Sequence, residues 1–80
     1  MALDSTQIIV LNWFYNSHKK GQSASYKGSL EHFGQVLKIT DPMNVLMSLL
    51  DMKLISLNKV KFEVNITKEG IQFIENLKKK

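Results

Sequence analysis

Residues 55–66 carry the strongest local pattern in the chain, an alternation of apolar and polar side chains on both sides of Asn58-Lys59. The apolar positions are Ile55, Leu57, Val60, Phe62, Val64 and Ile66. A period of two is that of a β-strand with one buried face, so the segment predicts two strands. A two-residue turn at Asn58-Lys59 pairs Leu57 with Val60. Ile55 then pairs with Phe62, and all four apolar side chains share one face. We therefore predict a β-hairpin with this register.

The first helix is predicted from a cap and a run of apolar residues. Asp4 followed by Gln7 resembles a capping box, and residues 8–15 are apolar at every position except Asn12. The sequence Lys19-Lys20-Gly21 suits the end of a helix. Because apolar residues cover nearly the whole circumference, the helix is expected to be buried on several sides. One small domain does not easily cover all of it, which predicts a homodimer formed through the first helix, the third helix or both.

Three further helices and a short strand complete the predicted fold. Ala24-Ser25-Tyr26 is expected to form a short edge strand. The second helix is expected to begin at a Ser29 cap. Asp41-Pro42 is a strong helix start, and the third helix is expected to run to about Met52. A Thr67 cap predicts the last helix. Without repeats or a domain boundary, residues 1–80 are predicted to form a single α+β domain.

Composition narrows the chemistry that this domain can perform. The 80 residues include no cysteine, which excludes disulfides, thiolate metal sites and thiol nucleophiles. The net charge is +4, and all eleven basic residues are lysines. Such an excess of positive charge favours binding to phosphate backbones or to acidic partners. Because the chain has no Arg, its cations contact an anion as point charges through Lys rather than as bidentate guanidinium groups.

The sequence predicts a cytoplasmic protein that does not contact the membrane. The start of the chain, residues 1–4, has no basic leader region and reaches Asp4 at once. Its apolar stretches are broken by Asn or Ser well before the roughly 20 residues that a bilayer span needs.

No catalytic constellation is visible in the sequence. His18 and His32 belong to different predicted helices, and neither has a carboxylate at ligand spacing. Gly21, Gly28 and Gly34 are too far apart to form a phosphate-binding loop. The seven carboxylates form no acid–base pair. We therefore predict no enzyme activity, no metal, no cofactor and no small-molecule substrate.

Three segments, taken in order, resemble the winged-helix DNA-binding domains. They are residues 33–40 (FGQVLKIT) for the second helix and its turn, residues 46–55 (LMSLLDMKLI) for the recognition helix and the next strand, and residues 66–71 (ITKEGI) for the entry to the closing helix. The resemblance implies a winged helix-turn-helix with a three-helix core, a β-hairpin wing and a C-terminal helix. It also implies double-stranded DNA as the partner, with the third helix in the major groove and the wing along the backbone or minor groove.

The resemblance carries over to particular residues. It implies groove contacts by Thr40, Asn44, Met47 and Ser48, wing contacts with phosphate by Lys59 and Lys61, and flanking contacts by Lys27 and Lys38. The third helix departs from the usual pattern, because its narrow polar face consists of Asn44, Ser48 and Asp51 and it has no basic residue before Lys53.

Two functions are compatible with these features. The first is a small homodimeric DNA-binding protein that acts as a transcriptional regulator or as a plasmid- or phage-type site-binding adaptor, for example in segregation. The alternative is a winged-helix protein–protein interaction module without direct DNA contact. Met43 and Met47 are expected in the core, or else on an adaptable protein-binding surface. Trp13 and Tyr15 are expected in the core or at a dimer interface rather than stacked on bases.

Overall fold

The computed structural model describes residues 3–79. Residues 1, 2 and 80 lie outside the described residues, and so the first two residues of the segment predicted to contain no leader are not described. In order, the elements are α1 (Ser5–Lys19), β1 (Ala24–Ser25), α2 (Tyr26–Gln35), α3 (Pro42–Asp51), β2 (Ile55–Asn58), β3 (Glu63–Ile66) and α4 (Lys68–Lys78). The three strands form one antiparallel sheet in the order β1-β3-β2. The described part of the chain is thus α+β, with four helices and a small sheet in the predicted sequence of elements.

Helix α1 begins where the cap predicted it and lies at the centre of the fold. The Gln7 N–H donates to Asp4 Oδ1 (2.8 Å), and the Asp4 N–H donates to Gln7 Oε1 (3.0 Å), which completes the capping box. After the helix, Gly21 adopts the left-handed conformation (φ 71°) that a helix end favours. The helix packs against α3, α4 and β3, which confirms that it is buried on several sides. Ile9 remains 51% exposed.

Helix α2 begins earlier than predicted. Its N-cap is Ser25, whose Oγ accepts a hydrogen bond from the Gly28 N–H (3.0 Å). The predicted cap, Ser29, is buried inside the helix and donates to the Ser25 carbonyl (2.7 Å). The prediction of a Ser29 cap was therefore wrong. The reason is that Ser25 ends β1 and caps α2 at once, so the strand and the helix meet at Tyr26 without a connector.

Residues 55–66 form the predicted hairpin, but its register was predicted incorrectly. Ile55 pairs with Ile66, and Leu57 pairs with Val64. Residues 59–62 form a four-residue connection instead of a two-residue turn, which leaves Val60 89% and Phe62 61% exposed. The cause is Asn58, whose Oδ1 accepts hydrogen bonds from the main-chain N–H groups of Val60 (3.0 Å) and residue 61 (3.2 Å). We call residues 59–62 the wing loop.

Helix α3 starts as predicted but faces outward more than predicted. The Asp41 side chain accepts from the Asn44 N–H (3.2 Å), and Pro42 occupies the first turn. The core is built from α1, α2, α3, the sheet and α4, and its main side chains are Val10, Leu11, Phe14, Phe33, Leu46, Leu49, Ile55, Val64 and Ile74. Met43 and Met47 are 42% and 47% exposed, so of the two positions predicted for them the core was wrong, and they lie at the surface.

Of the two residues predicted in the core or at a dimer interface, Tyr15 lies in the core and Trp13 packs partly buried against it. Tyr15 is buried, and its hydroxyl lies 3.3 Å from a Glu75 carboxylate oxygen on α4. The Trp13 ring packs edge-on against Phe33 (5.2 Å between centroids) and meets the His32 ring at a tilt of 32° (5.1 Å). His32 therefore has a packing role. Within residues 3–79, no helix has the length and apolar character needed to cross a membrane.

Candidate nucleic-acid interface

Tyr26 joins three elements into one face of the molecule. As the first residue of α2, it donates its backbone N–H to the Phe62 carbonyl in the wing loop (2.7 Å). Its hydroxyl donates to the Met43 Sδ in the first turn of α3 (3.0 Å). The start of α2, the start of α3 and the wing loop therefore lie side by side.

A strip of solvent-accessible apolar side chains follows this face. We define the apolar strip as Val60, Phe62, Tyr26, Met43 and Met47. Met47 extends it by one helical turn beyond Met43 along α3. Tyr26 is half-buried, and the other members are exposed. Exposed apolar side chains that share one face make this face a candidate interaction surface.

The exposed side of α3 carries no basic group. Its side chains are Met43, Asn44, Met47 and Asp51, whereas Leu46 and Leu49 point into the core. Asp51 is the last residue of the helix, so the acidic charge lies at the end away from Tyr26. The half of α3 that lies next to the wing loop is therefore uncharged, with Asn44 as its polar side chain.

Positive charge borders the apolar strip on the neighbouring elements. Lys27 follows Tyr26 in the first turn of α2, and Lys59 and Lys61 lie within the wing loop. All three side chains are exposed. The first turn of α2 adds the positive end of its helix dipole to this charge. The face thus combines the uncharged half of α3 with cationic side chains on α2 and in the wing loop.

Three other predicted residues line a cleft beside this face. Lys38, Thr40 and Asn44 border a cleft of about 420 Å³ between the α2–α3 turn and the start of α1. Lys38 has a positive φ of 58°, which reverses the chain between the two helices. Asn44 lies at the border between this cleft and the exposed side of α3, so it connects the two groups.

Ser48 is the predicted residue that the fold itself uses. Its hydroxyl donates to the Val45 carbonyl (2.7 Å) and accepts from Gln7 Nε2 on α1 (3.0 Å). The side chain is half-buried and lies against α1. The structure thus places Lys27, Lys59 and Lys61 on the two elements that Tyr26 links, and Met47 on the exposed side of α3. It places Lys38, Thr40 and Asn44 at the adjoining cleft and turns Ser48 inward.

Sequence reasoning missed the most exposed members of this face. Val60 and Phe62 were assigned to the buried face of a strand, and for Met43 the core was left open beside an exposed position. The signal that could have found the first two is Asn58, because an Asn side chain readily bonds to main-chain N–H groups two residues further on and opens a turn there. No comparable signal in the sequence identifies the bridging role of Tyr26.

The described residues were also searched for a metal site, and the chain was compared with known proteins. Among residues 3–79, no group of three or more His, Asp or Glu side chains is placed to hold a metal ion. Comparisons with models of known protein families, with curated proteins and with solved structures found no match for this chain.

Proposed function

We propose that this chain is a winged-helix domain that binds double-stranded DNA with the face around Tyr26. In this proposal α2 and α3 are the helix-turn-helix, α3 is the recognition helix, and the wing loop is the tip of the wing. The observation that carries it is the pair of hydrogen bonds from Tyr26, to Phe62 and to Met43, which sets wing and recognition helix on one face. The biological role is that of a transcriptional regulator or a site-binding adaptor.

The charges fit a defined mode of docking. The N-terminal half of α3 enters the major groove, where the face carries Met43, Asn44 and Met47. Lys27 on α2 and Lys59 and Lys61 in the wing loop then contact phosphates on the flanks of the groove. Asp51, at the far end of α3, stays outside this contact. Contacts from lysine alone position the protein on DNA but do not by themselves read sequence.

We further propose that two copies pair through α1 and α4 rather than through α3, because α3 is occupied by DNA. Ile8, Ile9, Asn12, Ile74 and Leu77 line an open groove between α1 and α4. Ile9 and Leu77 are exposed there, and within the described residues Asn12 Oδ1 is buried without a hydrogen-bond partner. A two-fold dimer would cover both apolar side chains and match a site with two half-sites. Sedimentation equilibrium tests it: a protein that stays monomeric at all concentrations contradicts this arrangement.

Direct titration of DNA tests the proposed function. Fluorescence anisotropy of a labelled mixed-sequence duplex, at low salt, is expected to rise with protein at micromolar concentrations or below. Lys59→Glu with Lys61→Glu is expected to weaken binding strongly. Lys20→Glu with Lys68→Glu is the matched control, since it changes the net charge equally at exposed sites on other elements. Equal loss in both variants would indicate a general charge effect, and no binding at all would refute the proposal.

The apolar strip also favours the second candidate, a protein–protein interaction module. Exposed Met side chains adapt to varied partners, and Phe62 and Val60 would add apolar area to such a contact. This function predicts no binding of duplex DNA at low salt. It also predicts that Met43→Ser with Met47→Ser abolishes capture of the partner, whereas charge reversal at Lys59 and Lys61 leaves capture unchanged.

A further inference from the structure

We propose that α3 recognises A·T base pairs by packing Met43 and Met47 against the methyl groups of thymine. This inference rests on the proposed function and deepens it, because it names the class of DNA that the recognition helix selects. It starts from an apparent mismatch: the helix assigned to the major groove exposes two thioether side chains and lacks any cationic side chain among residues 42–51.

The chemistry of the major groove resolves this mismatch. Guanine presents two acceptors there, which are usually read by the paired donors of Arg or by Lys. This chain has no Arg, and the lysines that flank α3 in the chain, Lys38 and Lys53, lie outside the helix. Thymine instead presents its C5-methyl group, which is the apolar group that the major groove offers and which apolar side chains contact. An uncharged, apolar helix face is therefore matched to thymine and has little to offer guanine.

The polar residue on the same face points to the same base pair. Asn44 is exposed on α3 next to Met43 and Met47, and its backbone N–H is already used by the Asp41 cap (3.2 Å). Its side-chain amide can donate from the NH2 group to adenine N7 and accept at the carbonyl oxygen from adenine N6. A methionine would then contact the thymine of an A·T pair, and Asn44 would contact the adenine.

The structure also holds one methionine in place. The Tyr26 hydroxyl donates to Met43 Sδ (3.0 Å), so this flexible side chain is anchored from α2. Met47 lies one turn further along the same side of α3. The two side chains thus follow the helix axis and can contact methyl groups of successive base pairs.

The expected effect follows from the size of a methyl group. Removing one methyl or methylene from an apolar contact changes affinity by about fourfold, so two contacts give roughly 15-fold. The shape of the minor groove could also favour A·T-rich DNA. The test must therefore remove the methyl group while the base pairs remain.

Four duplexes make that test: alternating A·T, the same duplex with every thymine replaced by deoxyuridine, alternating G·C, and the same G·C duplex with 5-methylcytosine. Deoxyuridine lacks only the C5-methyl group, and 5-methylcytosine adds a methyl at the equivalent position. The wild-type protein is expected to bind the thymine duplex roughly 15-fold more tightly than the deoxyuridine duplex at equal salt. Methylation of the G·C duplex is expected to strengthen binding.

Variants assign the effect to α3. Met43→Ala with Met47→Ala is expected to bind the thymine and deoxyuridine duplexes equally. Val36→Ala, which removes an exposed apolar side chain at the end of α2 and outside the apolar strip, is the control and should keep the wild-type ratio. Two results overturn this inference and leave the proposed function standing. One is tight binding that is equal for the thymine and deoxyuridine duplexes. The other is a double methionine variant that keeps the wild-type ratio of the two affinities. Binding to none of the four duplexes overturns the proposed function and this inference with it.

Discussion

Removal of the two wing-loop lysines is expected to change how DNA binding depends on salt. Lys59 and Lys61 are exposed, lie on either side of Val60, and border the apolar strip together with Lys27. If each lysine neutralises one phosphate, the slope of log K against log salt is about −2.7 per protomer in the wild type. Lys59→Ala with Lys61→Ala is expected to reduce it to about −0.9. A change from 50 to 200 mM salt then weakens wild-type binding by about 40-fold, but weakens binding of the variant by only about 3.5-fold.

The assay is an anisotropy titration of one labelled duplex at several salt concentrations. Lys20→Ala with Lys68→Ala is the matched control, because it removes the same charge from the end of α1 and the start of α4. The control is expected to keep the wild-type slope. Circular dichroism at the same salt concentrations checks that all three proteins are folded, which is expected because these side chains are exposed.

The slope distinguishes local contact from general attraction. If both double variants reduce the slope equally, the net charge of the protein drives binding and the wing loop has no special role. If the wing-loop variant keeps a slope near −2.7, Lys59 and Lys61 do not contact phosphate. Either result would refute the proposed placement of the wing on the DNA backbone.

Three further predictions test the fold and the assembly. Gly70→Ala is expected to destabilise the protein by about 1–3 kcal/mol in urea unfolding, because a Cβ at that position would collide with the Leu54 carbonyl. Gly34→Ala is the control inside α2, where a Cβ would make only an ordinary contact with Pro42 Cγ (3.9 Å), and it is expected to be neutral or to stabilise by up to about 1 kcal/mol. Asn58→Ala is expected to weaken DNA binding with little loss of stability, since it frees two N–H groups of the wing loop; unchanged affinity would show that the loop's order does not matter. Ile9→Lys is expected to shift a dimer to monomer in sedimentation equilibrium, and an unchanged dimer would exclude the α1–α4 groove as the interface.

Helix starts were predictable where a cap and its partner are close in sequence. Asp4 with Gln7, Asp41 with Pro42 and the Thr67 cap are all observed, because each uses atoms within three residues of the helix start. The prediction of a Ser29 cap for α2 was wrong for a related reason. Both Ser25 and Ser29 can cap a helix, and the choice depends on β1, which ends at Ser25 only because it pairs with β3.

In the hairpin, the alternating pattern determines which face each side chain lies on but not which residues pair. Alternation fixes the face of each side chain, and a shift by an even number of residues preserves that face. The predicted and observed registers both place Ile55 and Leu57 on the buried face, so the pattern could not choose between them. The choice rests on Asn58, which holds the loop open through two hydrogen bonds, and on the Tyr26–Phe62 hydrogen bond from a distant part of the chain.

Helix α3 shows why the candidate site was only partly predictable. Apolar residues cover α3 except along its narrow polar face of Asn44, Ser48 and Asp51. So wide an apolar surface did not distinguish Met43 and Met47 from the core residues Leu46 and Leu49. Only the packing separates them, because the two leucines are fully buried and the two methionines are not. The fold does not need apolar side chains at these two positions, since solvent reaches both and a polar residue there would leave the core intact. Two methionines on an exposed helix face, next to an exposed wing loop, are therefore best explained by a contact outside the chain.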